Sequence, residues 1–321
     1  GQAKPFKTLQ YAVDRALPGD RVVLAPGVYT ESTLVARGGL SEDKRLTIEA
    51  QTPGAATLDC AYRGPSCLAL ESAPFVTVRG VRFLNYKRAG LYVYKSPNTV
   101  AENCVFYNGA GAVEGCHAFF YLSPSCVVRR CLAVGAETGL MFLVSPRATV
   151  ESNTISQALY AAVSYAFSME GTTQINNSFC FAGNDLYTGE WRHPDEFKTF
   201  RSDYNNLGTV IRDDFVAKAR KEAPETYQRI QAGKFTAAYG TRRFSFNTIS
   251  KGIIALGDKR YFAIEDWRRD TGQDKRSIFA DPQYVKPFGA IDRWDWRVKA
   301  TSPNVGAGEK GATIGALEAA R

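Results

Sequence analysis

The residues best suited to proton transfer lie in a glycine-rich segment that ends at His117. The segment reads Gly-Ala-Gly-Ala-Val-Glu-Gly-Cys-His over residues 109–117, and its glycines would let a ligand approach the backbone closely. A carboxylate at Glu114 and an imidazole at His117 both titrate in a range that catalysis uses. A single histidine in such a loop is also common for purely structural reasons, so both interpretations stand.

Three further side chains complete a possible catalytic set with His117. Tyr121 follows His117 by four residues, and Arg88 precedes a strand that aligns with the one carrying Tyr121. In that arrangement Arg88 would neutralise a substrate carboxylate, and His117 or Tyr121 would remove a proton from the neighbouring carbon. Tyr121 or Lys95 would then protonate the leaving oxygen.

A second chemistry uses two carboxylates. Glu114 and Glu137 lie on loops at equivalent positions of adjacent repeats, and Asp185 falls near the next equivalent strand. Two acids about 5–5.5 Å apart suit a retaining glycosidase, and about 6.5–9.5 Å an inverting one. Charged loop residues are often merely solvated, so this pair is an alternative to the first set.

A sequence repeat determines how these residues are positioned. The segments Gly90–Pro97, His117–Pro124 and Gly139–Pro146 align, each ends in Ser-Pro, and the Ser-Pro pairs are spaced 27 and then 22 residues apart. A degenerate fourth copy covers Ala162–Ser168. Each copy is followed by two short strand-like segments, with Asn at several of the tight turns. Three strands per repeat predict coils of a parallel β-helix, in which equivalent strands stack about 4.8 Å apart.

Strand alternation predicts an exposed aromatic surface on these coils. If Leu91 and Val93 point inward, Tyr92 and Tyr94 point outward, with Phe119 and Tyr121 as their equivalents on the next coil. The same reasoning places Met141 and Leu143 on the coil after that. The cations that flank this surface are Lys87, Arg88, Lys95 and Arg147. Aromatic faces stack on sugar rings and cations bind carboxylates, which favours an acidic glycan as partner. Stacked aromatic residues also stabilise sheets without any ligand, so a structural interpretation remains open.

The seven cysteines suggest neither a disulfide scaffold nor a metal site. Cys60 and Cys67 bracket a turn-forming loop and are compatible with a disulfide or with two free thiols. Cys104 and Cys131 fall in one column of the repeat, where we expect stacked thiols. The chain has no Cys-x-x-Cys spacing, so we expect no structural zinc and no cofactor.

The net charge of +8 favours polyanionic partners. It is dispersed along the chain and no nucleic-acid-binding signature accompanies it, so nucleic acid is a weaker candidate than an acidic glycan. No apolar run approaches the length of a membrane span. Residues 1–17 lack the layout of a signal peptide, so an exported protein would already have lost it. Oligomeric state is not predicted.

Motifs at both ends of the chain resemble a known family. Residues 4–13 and 18–30 are similar to the N-terminal cap and first coil of secreted bacterial members of the pectate-lyase-like superfamily, and residues 277–282 and 301–308 are similar to its C-terminal coils. The resemblance implies an all-β, right-handed parallel β-helix in a single domain, residues 1–321. The expected parts are an N-terminal cap at residues 1–20, whose helix the sequence pattern places at residues 5–17, a partly helical insertion at 188–243, and a C-terminal coil and cap at 277–321.

The superfamily contains lyases, hydrolases, esterases and binding proteins, so the resemblance implies less about function. It places the binding groove on the strands that end in Ser-Pro. We expect a secreted or cell-surface bacterial protein that acts on an acidic polysaccharide, first as a lyase that cleaves at uronate residues by β-elimination. The alternatives are a glycoside hydrolase using Glu114 and Glu137, and a non-catalytic glycan-binding or structural β-helix. Calcium is not expected, because the outward groove positions are aromatic or aliphatic.

Overall fold

The computed structural model describes residues 5–107, 115–156, 158, 161–167, 169–180, 185–189, 194–208, 254–256, 259–261, 263–287 and 293–320. Glu114 and most of the predicted insertion 188–243, including its helical segment at 210–232, lie outside the described residues.

The chain begins with a short helix, α1 (Leu9–Val13), that covers the first coil. Thr8 caps it by accepting a hydrogen bond from the Tyr11 amide at 3.2 Å. Leu9 and Val13 are buried, whereas the sequence pattern predicted a helix extending toward residue 17. The predicted helical cap is therefore present but shorter.

Three sheets of stacked parallel strands form the body of the protein, as the repeat predicted. The first sheet contains β1 (Arg21–Leu24), β4 (Leu46–Ala50), β7 (Val76–Arg79), β10 (Val100–Glu102), β13 (Val127–Arg129), β16 (Thr149–Glu151), β19 (Thr173–Ile175) and β22 (Arg201–Asp203). The second contains β2 (Gly27–Tyr29), β5 (Ala56–Asp59), β8 (Arg82–Leu84), β11 (Val105–Tyr107), β14 (Leu132–Val134), β17 (Thr154–Ser156) and β20 (Ser178–Cys180). The third contains β3 (Thr33–Val35), β6 (Ser66–Glu71), β9 (Ala89–Tyr94), β12 (Cys116–Tyr121), β15 (Thr138–Leu143), β18 (Ala161–Ala166), β21 (Asp185–Gly189), β23 (Ile254–Leu256) and the antiparallel β24 (Lys259–Tyr261).

The remaining described elements lie in the C-terminal part of the chain, after the third sheet. They are α2 (Ile264–Thr271) and an antiparallel hairpin of β25 (Tyr284–Lys286) and β26 (Asp295–Val298). Short 3₁₀ helices lie at Glu42–Lys44, Pro194–Thr199 and Glu309–Gly311. Trp267 of α2 is fully buried, and its indole nitrogen donates to Asp274 Oδ2 at 3.0 Å.

Aromatic rings from successive coils stack in the interior. Phe120 and Phe142 lie 4.8 Å apart between ring centroids with nearly parallel planes, and Phe83 and Phe106 are arranged in the same way. This spacing follows from the strand separation of about 4.8 Å, because equivalent inward side chains face each other directly. The core is therefore continuous along the solenoid.

The Ser-Pro repeat has a structural role at the end of three strands of the third sheet, β9, β12 and β15. The hydroxyls of Ser96, Ser123 and Ser145 are fully buried and stack in one column. Ser123 Oγ accepts from the Ser96 amide at 3.0 Å and donates to the Tyr121 carbonyl at 2.9 Å, and Ser145 repeats this pattern with the Ser123 amide. The serine ladder thus satisfies backbone groups where the strand ladder stops.

A second column joins the predicted asparagine turns to the predicted stacked thiols. Asn153 Nδ2 donates to Asn177 Oδ1 at 3.0 Å, and Asn177 Nδ2 donates to Asn205 Oδ1 at 3.1 Å. Cys131 continues the column, because its amide donates to Asn153 Oδ1 at 2.9 Å. Cys104 and Cys131 are both free and buried, and they directly precede Val105 and Leu132, which pair between β11 and β14, as expected for stacked thiols.

Cys60 and Cys67 are free thiols in this structure. Their sulfur atoms lie 2.7 Å apart, so the loop between them does bring them together as the sequence suggested.

Charged side chains on the outside of the first sheet pair with one another. Arg79 bridges Glu49 and Glu102 at 3.4 Å and 2.5 Å, and Arg129 reaches the other oxygen of Glu102 at 2.5 Å. These ion pairs provide the two glutamates with counter-charges on the surface of the first sheet.

Candidate functional site

A kink repeated in every long strand of the third sheet decides which residues face outward. Between β9 and β12, Cys116 pairs with Ala89 and Ala118 pairs with Leu91, so Gly90 and His117 are skipped together. The same skip occurs at Gly139 on β15. The in–out alternation breaks at the skipped position, because Gly90 faces the interior rings of Phe106 and Tyr86 and the next residue, Leu91, also lies in the core.

His117 consequently lies inside the coil. It is fully buried, its Nδ1 shares a hydrogen bond with the Tyr86 hydroxyl, and its ring centroid lies 6.1 Å from that of Phe106. The expected position beside Tyr121 on the groove face is therefore wrong. A substrate bound on the outer face of this sheet would not contact the imidazole.

After the kink, alternation runs as predicted. Tyr92, Phe119 and Met141 pair across three successive strands, and Tyr94, Tyr121 and Leu143 form a second row beside them. We call these six residues the aromatic face. The face is densely packed: Phe119 is only 1% exposed, while the other five are partly exposed.

The four rings of the aromatic face form one connected cluster. Ring centroids lie 5.5 Å apart for Tyr92 and Phe119, and 5.3 Å apart for Tyr94 and Tyr121, across the two coils. Along each strand the separation is 6.4 Å in both cases. These distances fall within the range of favourable aromatic contacts.

Two of the predicted cations lie against these rings. The Arg88 guanidinium carbon is 4.4 Å from the centroid of Tyr92 and 5.3 Å from that of Phe119. Lys95 Nζ is 5.1 Å from the centroid of Tyr94. Arg88 precedes β9 and Lys95 follows it, so the cations flank the aromatic face from both strand ends.

The other two predicted cations are less closely associated with the rings. Lys87 is exposed next to Arg88. Arg147 lies beyond the Ser-Pro turn, where its Nε donates to Ser125 Oγ at 3.3 Å. Arg147 therefore belongs to the corner between the third and first sheets rather than to the aromatic face.

The chemistry of Tyr92 is set by its surroundings. Burial raises the pKa of its phenol, and the positive charge of Arg88 only partly opposes this effect. Tyr92 is thus protonated at neutral pH and can donate a proton or a hydrogen bond, but it is a poor base.

The face changes character along the solenoid axis. The outward neighbours of Tyr92 and Tyr94 on β6 are Ala69 and Glu71, and beyond Leu143 on β18 the corresponding residue is the small Ala166. Within the described ranges, no three His, Cys, Asp or Glu side chains come together as a metal site would require.

Comparison with known proteins agrees with this architecture. Residues 59–186 match the family model described as right handed beta helix region. The chain is a right-handed parallel β-helix protein. The three parallel sheets thus form the right-handed parallel β-helix that the resemblance to the pectate-lyase-like superfamily implied.

Solved structures similar to this β-helix include three carbohydrate-related enzymes. An alginate lyase from Paenibacillus sp. str. FPU-7 is 15% identical, with 63% of this chain and 78% of that chain covered and a TM-score of 0.49. Pectate lyase Pel9A is 13% identical, with 97% and 91% covered and a TM-score of 0.38. The pectin methylesterase from Aspergillus niger is 11% identical, with 64% of each chain covered and a TM-score of 0.36. No curated protein sequence matches the chain.

Of the two carboxylates predicted for a hydrolase site, Glu114 and Glu137, the structure describes only Glu137. Glu137 is buried directly before β15, and Glu114 lies outside the described residues. Asp185 opens β21, where it pairs with Ala161. The two-carboxylate site therefore stays a prediction. No helix among the described residues is both long and apolar enough to cross a membrane.

Proposed function

We propose that this β-helix is an exported bacterial protein that binds an acidic polysaccharide across the aromatic face. The observation that carries the proposal is the contact of Arg88 with the rings of Tyr92 and Phe119. A guanidinium held against two rings provides a cation for a carboxylate beside an apolar surface for a sugar ring. Lys95 repeats this combination at the other end of the strand, against Tyr94.

The geometry supports a lyase more readily than a hydrolase. In β-elimination a base removes the proton at C5 of a uronate, the C4–O bond breaks, a C4=C5 double bond forms and the leaving sugar gains a hydroxyl. Arg88 is suited to neutralise the uronate carboxylate, which stabilises the negative charge that develops when the proton leaves. Tyr121 is the candidate proton acceptor, and the protonated Tyr92 or Lys95 can protonate the leaving oxygen. His117 takes no part in this scheme, because it lies inside the coil.

Non-catalytic glycan binding is the second candidate function. It is favoured by the aliphatic half of the aromatic face, where Met141 and Leu143 supply contact area but no proton donor or acceptor.

The test is incubation with a panel of uronate polysaccharides, followed by ultraviolet absorbance of the unsaturated product and by an assay of new reducing ends. A rise in both signals supports the lyase, and reducing ends alone would indicate a hydrolase. Neither signal, together with retained binding, would indicate the non-catalytic function.

Variants locate the site. We expect Arg88→Gln to weaken polysaccharide binding by about tenfold or more, because it removes one charge-assisted contact. Tyr121→Phe should abolish the unsaturated product while leaving binding largely intact. Arg130→Gln is the matched control, since Arg130 is exposed at the corner between the first and second sheets. Equal binding by Arg88→Gln and Arg130→Gln would reject the aromatic face as the site.

A further inference from the structure

A second candidate binding site lies on a different side of the solenoid. The C-terminal hairpin packs on the outside of the second sheet and leaves an open cavity of about 390 Å³. Its floor is formed by Arg82, Val105 and Leu132, which pair on three successive strands, β8, β11 and β14. Its wall is formed by Trp294 and Trp296. This volume lies within the range of small-molecule sites.

The aromatic wall is firmly held. Trp294 packs edge-on against Tyr107 with centroids 4.4 Å apart, and the two tryptophans lie 5.9 Å apart at nearly a right angle. Trp296 is only 2% exposed and also contacts Tyr284 at 5.0 Å. A wall that is already packed loses little conformational entropy when a ligand binds.

Within the described part of the chain, some charged groups that line the cavity form an ion pair with each other, whereas Arg82 does not. Arg297 and Asp295 bind each other at 2.6 Å, and this contact lowers the pKa of the Asp295 carboxyl. The Glu318 carboxylate also lines the cavity, but Arg82 forms no ion pair with any carboxylate of the described residues. The buried indole nitrogen of Trp296 likewise has no acceptor among them.

We propose that this cavity binds a single acidic sugar unit, a uronate, independently of the aromatic face. The carboxylate of the sugar pairs with Arg82, its apolar ring face packs against Trp294, the more exposed ring of the wall, and a ring hydroxyl donates a hydrogen bond to the Glu318 carboxylate, which also lines the cavity. A charge-assisted contact is stronger than a neutral one, so a ligand that supplies a carboxylate to Arg82 gains affinity. A neutral sugar can use the wall but leaves Arg82 without a counter-charge.

The cavity and the aromatic face can be tested separately. Sodium galacturonate and neutral galactose are titrated into ¹⁵N-labelled protein, and the four tryptophan indole N–H resonances are followed by NMR. Trp294→Phe and Trp296→Phe assign the two cavity signals. We expect galacturonate to shift one or both of these signals with millimolar affinity, and galactose to bind at least about tenfold more weakly.

Arginine-to-glutamine variants test whether Arg82 binds the galacturonate carboxylate. Arg82→Gln should reduce galacturonate affinity to that of galactose, whereas Arg37→Gln, which removes an exposed charge after β3, should leave it unchanged. Arg88→Gln should also leave the cavity signals responsive, even where it abolishes polysaccharide binding. Unshifted cavity signals, equal binding of the two sugars, or full affinity in Arg82→Gln would each overturn the proposal.

Discussion

The Tyr86 hydroxyl and the His117 imidazole share a hydrogen bond inside the coil, one turn of the solenoid apart. The pair is possible because Gly90 precedes His117 in the column. A Cβ atom on Gly90 would lie 2.9 Å from the Phe106 ring and 3.0 Å from the Tyr86 ring. The core thus contains a hydrogen-bonded pair, Tyr86 and His117, at the position where the long strands kink.

This pair predicts a structural role for His117. His117→Ala should lower the free energy of unfolding by about 2–4 kcal/mol, because it leaves a cavity and removes the partner of a buried hydroxyl. Glycan binding per folded molecule should not change. Chemical denaturation and a binding assay on the folded fraction measure the two effects. A double-mutant cycle with Tyr86→Phe should give non-additive losses. Normal stability combined with lost activity would return His117 to the catalytic set.

The serine ladder predicts a second stability effect. Ser123→Ala should cost about 1–3 kcal/mol, since the Ser96 amide would lose its buried acceptor. Ser41→Ala is the control, because Ser41 is only partly buried and makes no capping hydrogen bond through its side chain. Urea denaturation compares the two variants. Equal midpoints would show that the ladder adds nothing to stability.

The thiol pair predicts selective oxidation. Hydrogen bonding from Cys67 lowers the pKa of the Cys60 thiol despite its burial, which increases the fraction of reactive thiolate at Cys60. With oxidised glutathione, Cys60 and Cys67 should lose two protons and two electrons and form one disulfide, while the reagent becomes two reduced glutathiones.

Mass spectrometry of proteolytic peptides checks this reaction. The pair Cys104 and Cys131 is the internal control, because burial raises the pKa of Cys131 well above its ordinary value. Cys67→Ser should prevent the new disulfide. Oxidation at Cys131 before Cys60, or no disulfide at all, would contradict the assignment.

The ion-pair row on the first sheet predicts a defined pH dependence. Burial alone would raise the pKa of Glu102, but hydrogen bonds from Arg129 and Arg79 outweigh it and lower the pKa below its ordinary value of 4.5. A lowered folded-state pKa contributes stability that is present above the unfolded value and is lost as the pH falls through the folded value.

Stability should therefore decline as the pH falls below about 4.5. Glu102→Gln should be less stable at neutral pH and show a flatter decline in acid. Denaturation midpoints measured from pH 7 to pH 3 provide the comparison, with Glu42→Gln as the exposed control. Parallel pH profiles for wild type and Glu102→Gln would show that the pair does not determine acid stability.

The sequence by itself determined the solenoid and the composition of the aromatic face. A period of two residues along a strand and a period of one coil along the chain are local properties, so Tyr92, Phe119 and Tyr121 could be aligned without coordinates. The stacked thiols of Cys104 and Cys131 followed from the same register. The short spacing of Cys60 and Cys67 left their chemical state open, and the structure holds them as neighbouring free thiols.

Only the tertiary structure decided where His117 points and where the tryptophans lie. The inward position of His117 is next to the rings of Phe106, on β11, and Tyr86, in the turn between β8 and β9. These rings leave space for the glycine at position 90 but not for a larger residue. Trp294 and Trp296 meet Arg82 only because a hairpin distant in sequence folds back on the second sheet. Such contacts join residues far apart in the chain, and no local periodicity encodes them.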